Sequence, residues 1–167
     1  MPLVSIMQCN PAGVVLNANE LTVAAKQSIA SKLGISETAF VSTSAIADFK
    51  LEFFTPTKQI AHCGHATIAA FSYLKQTGKI NDNNSSKETI DGIRNIYFEG
   101  NEAFMQQRAP SYQKPNEYLQ QFLTSLNLTL SDIISGLEPT IVNTGNSFMI
   151  IPVKNEDILK QVDPTLK

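Results

Sequence analysis

His62-Cys63-Gly64-His65-Ala66-Thr67-Ile68-Ala69 sets two imidazoles, a thiol and a glycine at the head of an apolar run that continues to Leu74. The spacing of Ile68, Phe71 and Leu74 predicts a helix from about Ala66 to Lys75, stopped by Gly78. A helix N-terminus leaves backbone N–H groups unpaired and carries a partial positive charge, so Gly64, His65 and Ala66 can receive a carboxylate through main-chain donors. Gly64 lets a ligand come close. Both histidines of the chain and one of its two cysteines lie in this stretch.

Upstream of it, short strands alternate with one helix. Gly13 to Leu16 reads as a strand. Leu21, Ala25, Ile29 and Leu33 recur every four residues, with Thr22 as N-cap and Gly34 as stop, which predicts an amphipathic helix buried along that stripe. Thr38 to Ser42 reads as a strand, and Phe49, Leu51 and Phe53 alternate with Lys50, Glu52 and Phe54 in another that Pro56 ends.

Downstream, the polar Lys79 to Lys87 segment reads as an exposed loop. Ile96 to Phe98 and Ala103 to Met105 flank Glu99-Gly100-Asn101-Glu102, a hairpin signal. Pro110 to Pro115 reads as a crossover into a second unit. There Tyr118, Phe122, Leu123 and Leu126 form a helical stripe, Ser131 is a candidate cap, and Thr140 to Val153 predicts two strands broken at Gly145-Asn146. A last helix near Glu156 to Val162 stops at Pro164. The expected division is a first domain over 1–110, then crossover and an incomplete second domain over 111–167.

The chain has 167 residues, enough for one domain or one domain and part of another. With 13 basic and 15 acidic residues its net charge is -2, so there is no basic field to hold nucleic acid or an anionic membrane. Small neutral or anionic molecules remain as partners. Apolar runs such as Phe148 to Val153 fall far short of a membrane helix, and Met1 to Ile6 lacks the features of a signal peptide. Cys9 and Cys63 make no disulfide framework, which points to a reduced, cytoplasmic setting.

His65 suits the role of acid, base or orienting donor, because imidazole titrates near neutrality; local packing is the plainer role for an isolated Gly-His pair. His62 reads as a surface residue. A zinc centre would need about four donors, and beyond His62, Cys63 and His65 only Cys9 remains among cysteines and histidines, so no metal site is expected. Cys63 is either a thiol activated by the helix end or buried filler. Glu37, in Gly34-Ile35-Ser36-Glu37-Thr38-Ala39-Phe40, stands between a helix end and an apolar strand. There a carboxylate is either solvated or pushed into surroundings that suit it to shuttle a proton.

Four blocks in order then carry a resemblance: Asn10-Pro11-Ala12-Gly13-Val14-Val15-Leu16, Leu33 to Phe40, Phe54-Thr55-Pro56 and Cys63-Gly64-His65-Ala66-Thr67. Together they resemble the phenazine biosynthesis PhzF-like family, and Thr144-Gly145 with Phe148 to Val153 is similar to the strand pair opening the second half of such proteins. The resemblance implies an α+β, diaminopimelate-epimerase-like fold, a curled sheet around a central helix, with the active site in a cleft between two such domains. It implies a cofactor-independent isomerase or epimerase that shifts a proton on a small acid, including cyclic amino acids. Glu37 would be the general acid/base and His65 its assistant, with Gly64, Ala66 and Thr67 at the substrate. Cys63 stands where related epimerases carry a catalytic cysteine, and it ranks below Glu37 because Gly-His replaces their Gly-Asn.

Two departures qualify that expectation. Met1 to Cys9 is short for the opening strand of such proteins, and nothing after Lys154 resembles the Asp and Gly-Ser pair of their second domain. The expected protein is therefore an isomerase completed by a homo-oligomer or a complementing chain, or else a truncated, inactive remnant or small-molecule-binding module. Phe148, Ile150 and Val153 would be exposed and favour self-association.

Overall fold

The computed structural model describes residues 10–163; the expectations placed on Met1 to Cys9, on Cys9 and on the stop at Pro164 lie outside them. The chain divides into two compact units, Met1–Gln107 and Arg108–Lys167.

In the first unit β1 (Ala12–Val15) lies parallel to β2 (Glu37–Ser42), with α1 (Val23–Leu33) as their connection. The caps are those read from the sequence. Thr22 accepts from the Ala25 N–H at 3.2 Å, and Gly34, at φ 65°, closes the helix on the Ala30 carbonyl. The buried face differs from the expected stripe: Lys26 and Ala30 face inward while Leu33 is exposed. The Lys26 stem serves as apolar surface and its ammonium pairs with Glu52.

β3 (Phe49–Phe54) runs antiparallel to β2 and carries the two-residue β4 (Gln59–Ile60) on its far half. Alternation along these strands sorts their side chains to two faces. Ala39, Val41, Leu51 and Phe53 join the core around α2 (Gly64–Gln76), and Phe40 and Phe54 meet edge to face in a smaller cluster with Ala30 of α1. Glu37 shares the parity of Ala39 and Val41, which puts it on the α2 side.

The sheet continues with β5 (Asn84–Thr89), β6 (Gly92–Glu99) and β7 (Glu102–Met105), in the order β1-β2-β3-β5-β6-β7. Five strand spacings of about 4.8 Å would separate β1 from β7 by roughly 24 Å in a flat sheet, whereas a helix is only about 10 Å across. Yet α2 packs against β1, β2 and β7. The sheet therefore curls around the helix, which buries Ala66, Thr67, Ala70, Phe71 and Leu74. The expected hairpin is present, turning at Gly100-Asn101 between β6 and β7. The expected loop over Lys79 to Lys87 is a correction: its last four residues open β5, whose inward positions are Ser85, Lys87 and Thr89. A strand with a polar buried face carries no apolar alternation to read.

The second unit has a three-stranded antiparallel sheet, β10 (Ser147–Ile150), β9 (Thr140–Asn143) and β8 (Ser111–Gln113), with α3 (Leu119–Ser125) and α4 (Glu156–Lys160). Three expectations change here. The Pro110 to Pro115 crossover contains β8; the cap near Ser131 is Thr129, in a reciprocal box with Asp132; and Val153 is not exposed but packs on Leu123, Leu128 and Ile133. Phe148 and Ile150 are exposed as expected. Among the described residues no helix is long and apolar enough to cross a membrane.

Candidate active site

Glu37 opens β2 and His65 is the second residue of α2. Because the sheet wraps the helix, the two meet: His65 Nε2 lies 3.1 Å from Glu37 Oε2, with side chains 35% and 22% exposed. Those two atoms are themselves shielded from solvent, and neither has an aligned hydrogen-bond partner among the described residues. A buried acceptor and a buried ring nitrogen left in this state are free to engage a ligand. On the other side of the ring, His65 Nδ1 lies 3.5 Å from Cys63 Sγ.

Cys63 is the N-cap of α2 and is buried. Burial pushes its thiol pKa up, against an opposing pull from the Ala66 backbone N–H; the Glu37 carboxylate raises it further, and Lys87 pulls it down. A thiol held in its neutral form is a poor base. That leaves the carboxylate as the better proton acceptor of the pair.

Gly64 is partly exposed, and a Cβ added there would meet only Met105 Cε, at 3.8 Å. Nothing in the packing demands glycine at this position. Ala66 and Thr67, expected at the substrate, are instead wholly buried. The Ala66 backbone N–H lowers the Cys63 thiol pKa, while the Thr67 hydroxyl donates to the Cys63 carbonyl at 2.6 Å. The Gly64 and His65 N–H groups belong to the first turn of α2, where a helix leaves its backbone donors without an intrahelical acceptor.

His62, expected at the surface, is 6% exposed, with Nδ1 3.9 Å from an Asp91 oxygen; Asp91 in turn pairs with Arg94. Sequence reading also missed Lys87, whose ammonium donates to the Thr67 hydroxyl at 2.8 Å. A lone lysine in a polar segment gave no signal of burial. Glu37, Cys63 and His65 each bring one donor atom within 4.8 Å of the others, a grouping hidden from the sequence because Glu37 is remote along the chain. Three donors are one fewer than the four of a structural zinc centre.

A curled sheet around a buried helix, with an acid and an imidazole paired at the helix N-terminus, defines the class as the epimerase-like α+β fold. A structure described as a predicted epimerase from Pseudomonas aeruginosa has this fold, with a TM-score of 0.75 over 94% of this chain and 58% of that one at 21% identity. The chain belongs to the phenazine biosynthesis-like protein family, which matches residues 4–167. It is 33% identical over 163 residues to the uncharacterized isomerase YddE of Escherichia coli O157:H7, covering 94% of this chain and 55% of that protein. The crystal structure of the Bacillus anthracis PhzF-family protein is similar with a TM-score of 0.76 and 34% identity, over 93% of this chain and 54% of that one. The chain spans about half the length of the curated relatives it matches.

Proposed function

We propose that the site supports proton transfer on a small carboxylic or amino acid without a cofactor, as one wall of an isomerase. The observation that carries this reading is the 3.1 Å pairing of Glu37 with His65 at the N-terminus of α2. The substrate carboxylate sits on the Gly64 and His65 N–H groups, where the helix end favours an anion. Glu37 takes a proton from the adjacent carbon; the electron pair left behind delocalises toward the substrate carboxylate, and the proton returns to a different carbon or face. His65 orients Glu37 and holds the proton in transit. Cys63 and the inward-facing Thr67 support this end of the helix.

Proton transfer needs a site closed to water, and one wall does not provide this. Residues 1–110 form the first epimerase-like domain in this reading and 111–167 the start of a second. The opposite wall comes from further sequence, a second copy or a complementing chain. Relatives described as uncharacterized isomerases in Escherichia coli O157:H7 and Bacillus subtilis support the reaction class. The test is solvent-deuterium incorporation into small α-amino and cyclic acids, followed by mass spectrometry. Incorporation is expected, and Glu37→Gln is expected to abolish it. A folded chain that exchanges no candidate acid, alone or with its complementing wall, is a binding module instead.

A further inference from the structure

Lys87 is fully buried, at 0% exposure, on the inward face of β5. It stands directly opposite Arg94 on β6, also buried. Like charges opposite one another destabilise a sheet, and a charge sealed from water is costly. Arg94 is answered by the Asp91 carboxylate. Lys87 has a neutral hydroxyl, Thr67 Oγ1 at 2.8 Å, and the Phe53 ring, whose centroid is 5.2 Å away. Cys63 on α2 and Asp91 in the β5–β6 turn also act on it. The same hydroxyl donates to the Cys63 carbonyl at 2.6 Å, so the ammonium is two hydrogen bonds from the residue that caps α2. Lys87 thus places a buried cation beneath the capped end of α2, where it acts on Cys63. An apolar side chain at position 87 would pack there at lower cost.

We propose that Lys87 is a positioning residue of the site: through Thr67 it fixes the first turn of α2, and its charge supports an anion bound on the Gly64 and His65 N–H groups. This rests on the proton-transfer reading for the anion's identity as substrate, but the effect on the helix end does not. Lys87 itself reaches no ligand, because it is sealed beneath the helix. Its ammonium has a pKa lowered to about 8, chiefly by burial and then by Arg94, so its support is present below that pH and withdrawn above it.

Cys63 is a built-in probe of the charge. In the full chain, iodoacetamide alkylation of the Cys63 peptide is followed by mass spectrometry across pH, which separates it from Cys9. Lys87→Met is expected to slow Cys63 alkylation about five- to tenfold at neutral pH, because the thiolate loses a nearby cation. Thr67→Val, which cuts the relay but keeps the charge, should change it less than twofold. Unaltered protein should show a bend near pH 8, where Lys87 gives up its proton. Binding of benzoate, read on the Gly64 and His65 amide resonances, should weaken about tenfold in Lys87→Met and also in Thr67→Val. A folded Lys87→Met with the unaltered protein's thiol profile and benzoate affinity overturns the proposal. Should that variant not fold, a thiol profile without the bend in the unaltered chain overturns it equally. No benzoate response in unaltered protein removes the carboxylate anchor of the proposed function, while the thiol profile still decides on Lys87.

Discussion

Glu37 Oε2 and His65 Nε2 lie 3.1 Å apart, shielded from solvent, while the other ring nitrogen faces Cys63 Sγ at 3.5 Å. Two glycines nearby separate fold from function. A Cβ at Gly13 would meet Thr38 Oγ1 at 2.9 Å and Ile35 Cδ1 at 3.0 Å, and Gly13 pairs with Thr38 beside Glu37. Gly13→Ala should therefore cost about 1–3 kcal/mol in urea unfolding, by forcing β1 off β2. At Gly64 the only neighbour is the flexible end of Met105. Gly64→Ala should fold at least as stably as the parent, yet lose benzoate affinity because the methyl fills the ligand's approach. Equal binding by this variant would remove the ligand from that position. Lys87 adds a pH dependence of opposite sign for stability and binding. Below about pH 8 folded and unfolded chains both hold the proton, and the burial penalty is full; between 8 and the ordinary 10.5 only the unfolded chain holds it. Stability should rise over that window, by roughly 3 kcal/mol from this group, while benzoate binding falls. Urea midpoints of the parent and Lys87→Met across pH 7–10 would isolate the term.

At the scale of elements, legibility followed the polarity of the buried face. α1 announced itself through Thr22 and Gly34, and both caps are in place. β2 and β3 were readable because Ala39, Val41, Leu51 and Phe53 turn apolar groups inward, and the β6–β7 hairpin because Gly100-Asn101 has turn chemistry. β5 was hidden because Ser85, Lys87 and Thr89 occupy its interior. His62 was hidden for a related reason: burial beside Asp91 depends on a turn remote in sequence. Candidate residues were legible singly. That Glu37 and His65 touch was implied only by the family resemblance, since composition and spacing say nothing about which strand faces which helix end. β5 was missed because charged and hydroxyl side chains take places that a core would give to apolar ones, and β8 because its three residues are exposed.

For the whole molecule, the second unit is the less self-sufficient. β10 is an edge strand, and Phe148 and Ile150 are more than half exposed on it, at 58% and 54%. An uncovered edge with apolar side chains recruits another chain. Light scattering should show association that grows with concentration, and Phe148→Lys with Ile150→Lys should reduce it without altering the spectroscopic signature of the first unit. A monomer at high concentration would refute this.

The helix held by both ends of its sheet has a consequence for order of events. α2 touches β1, near the beginning of the first unit, and β7, near its end. Contacts so distant along the chain are closed late in folding, since the loops between them must first be brought together. Glu37 on β2 and His65 on α2 meet only where the sheet wraps the helix, so their 3.1 Å contact belongs to the folded first unit. Any ligand of this site consequently recognises only the closed form, and draws the folding equilibrium toward it by mass action. A ligand seated at this helix end would therefore raise the urea midpoint of the first unit as its concentration rises past Kd.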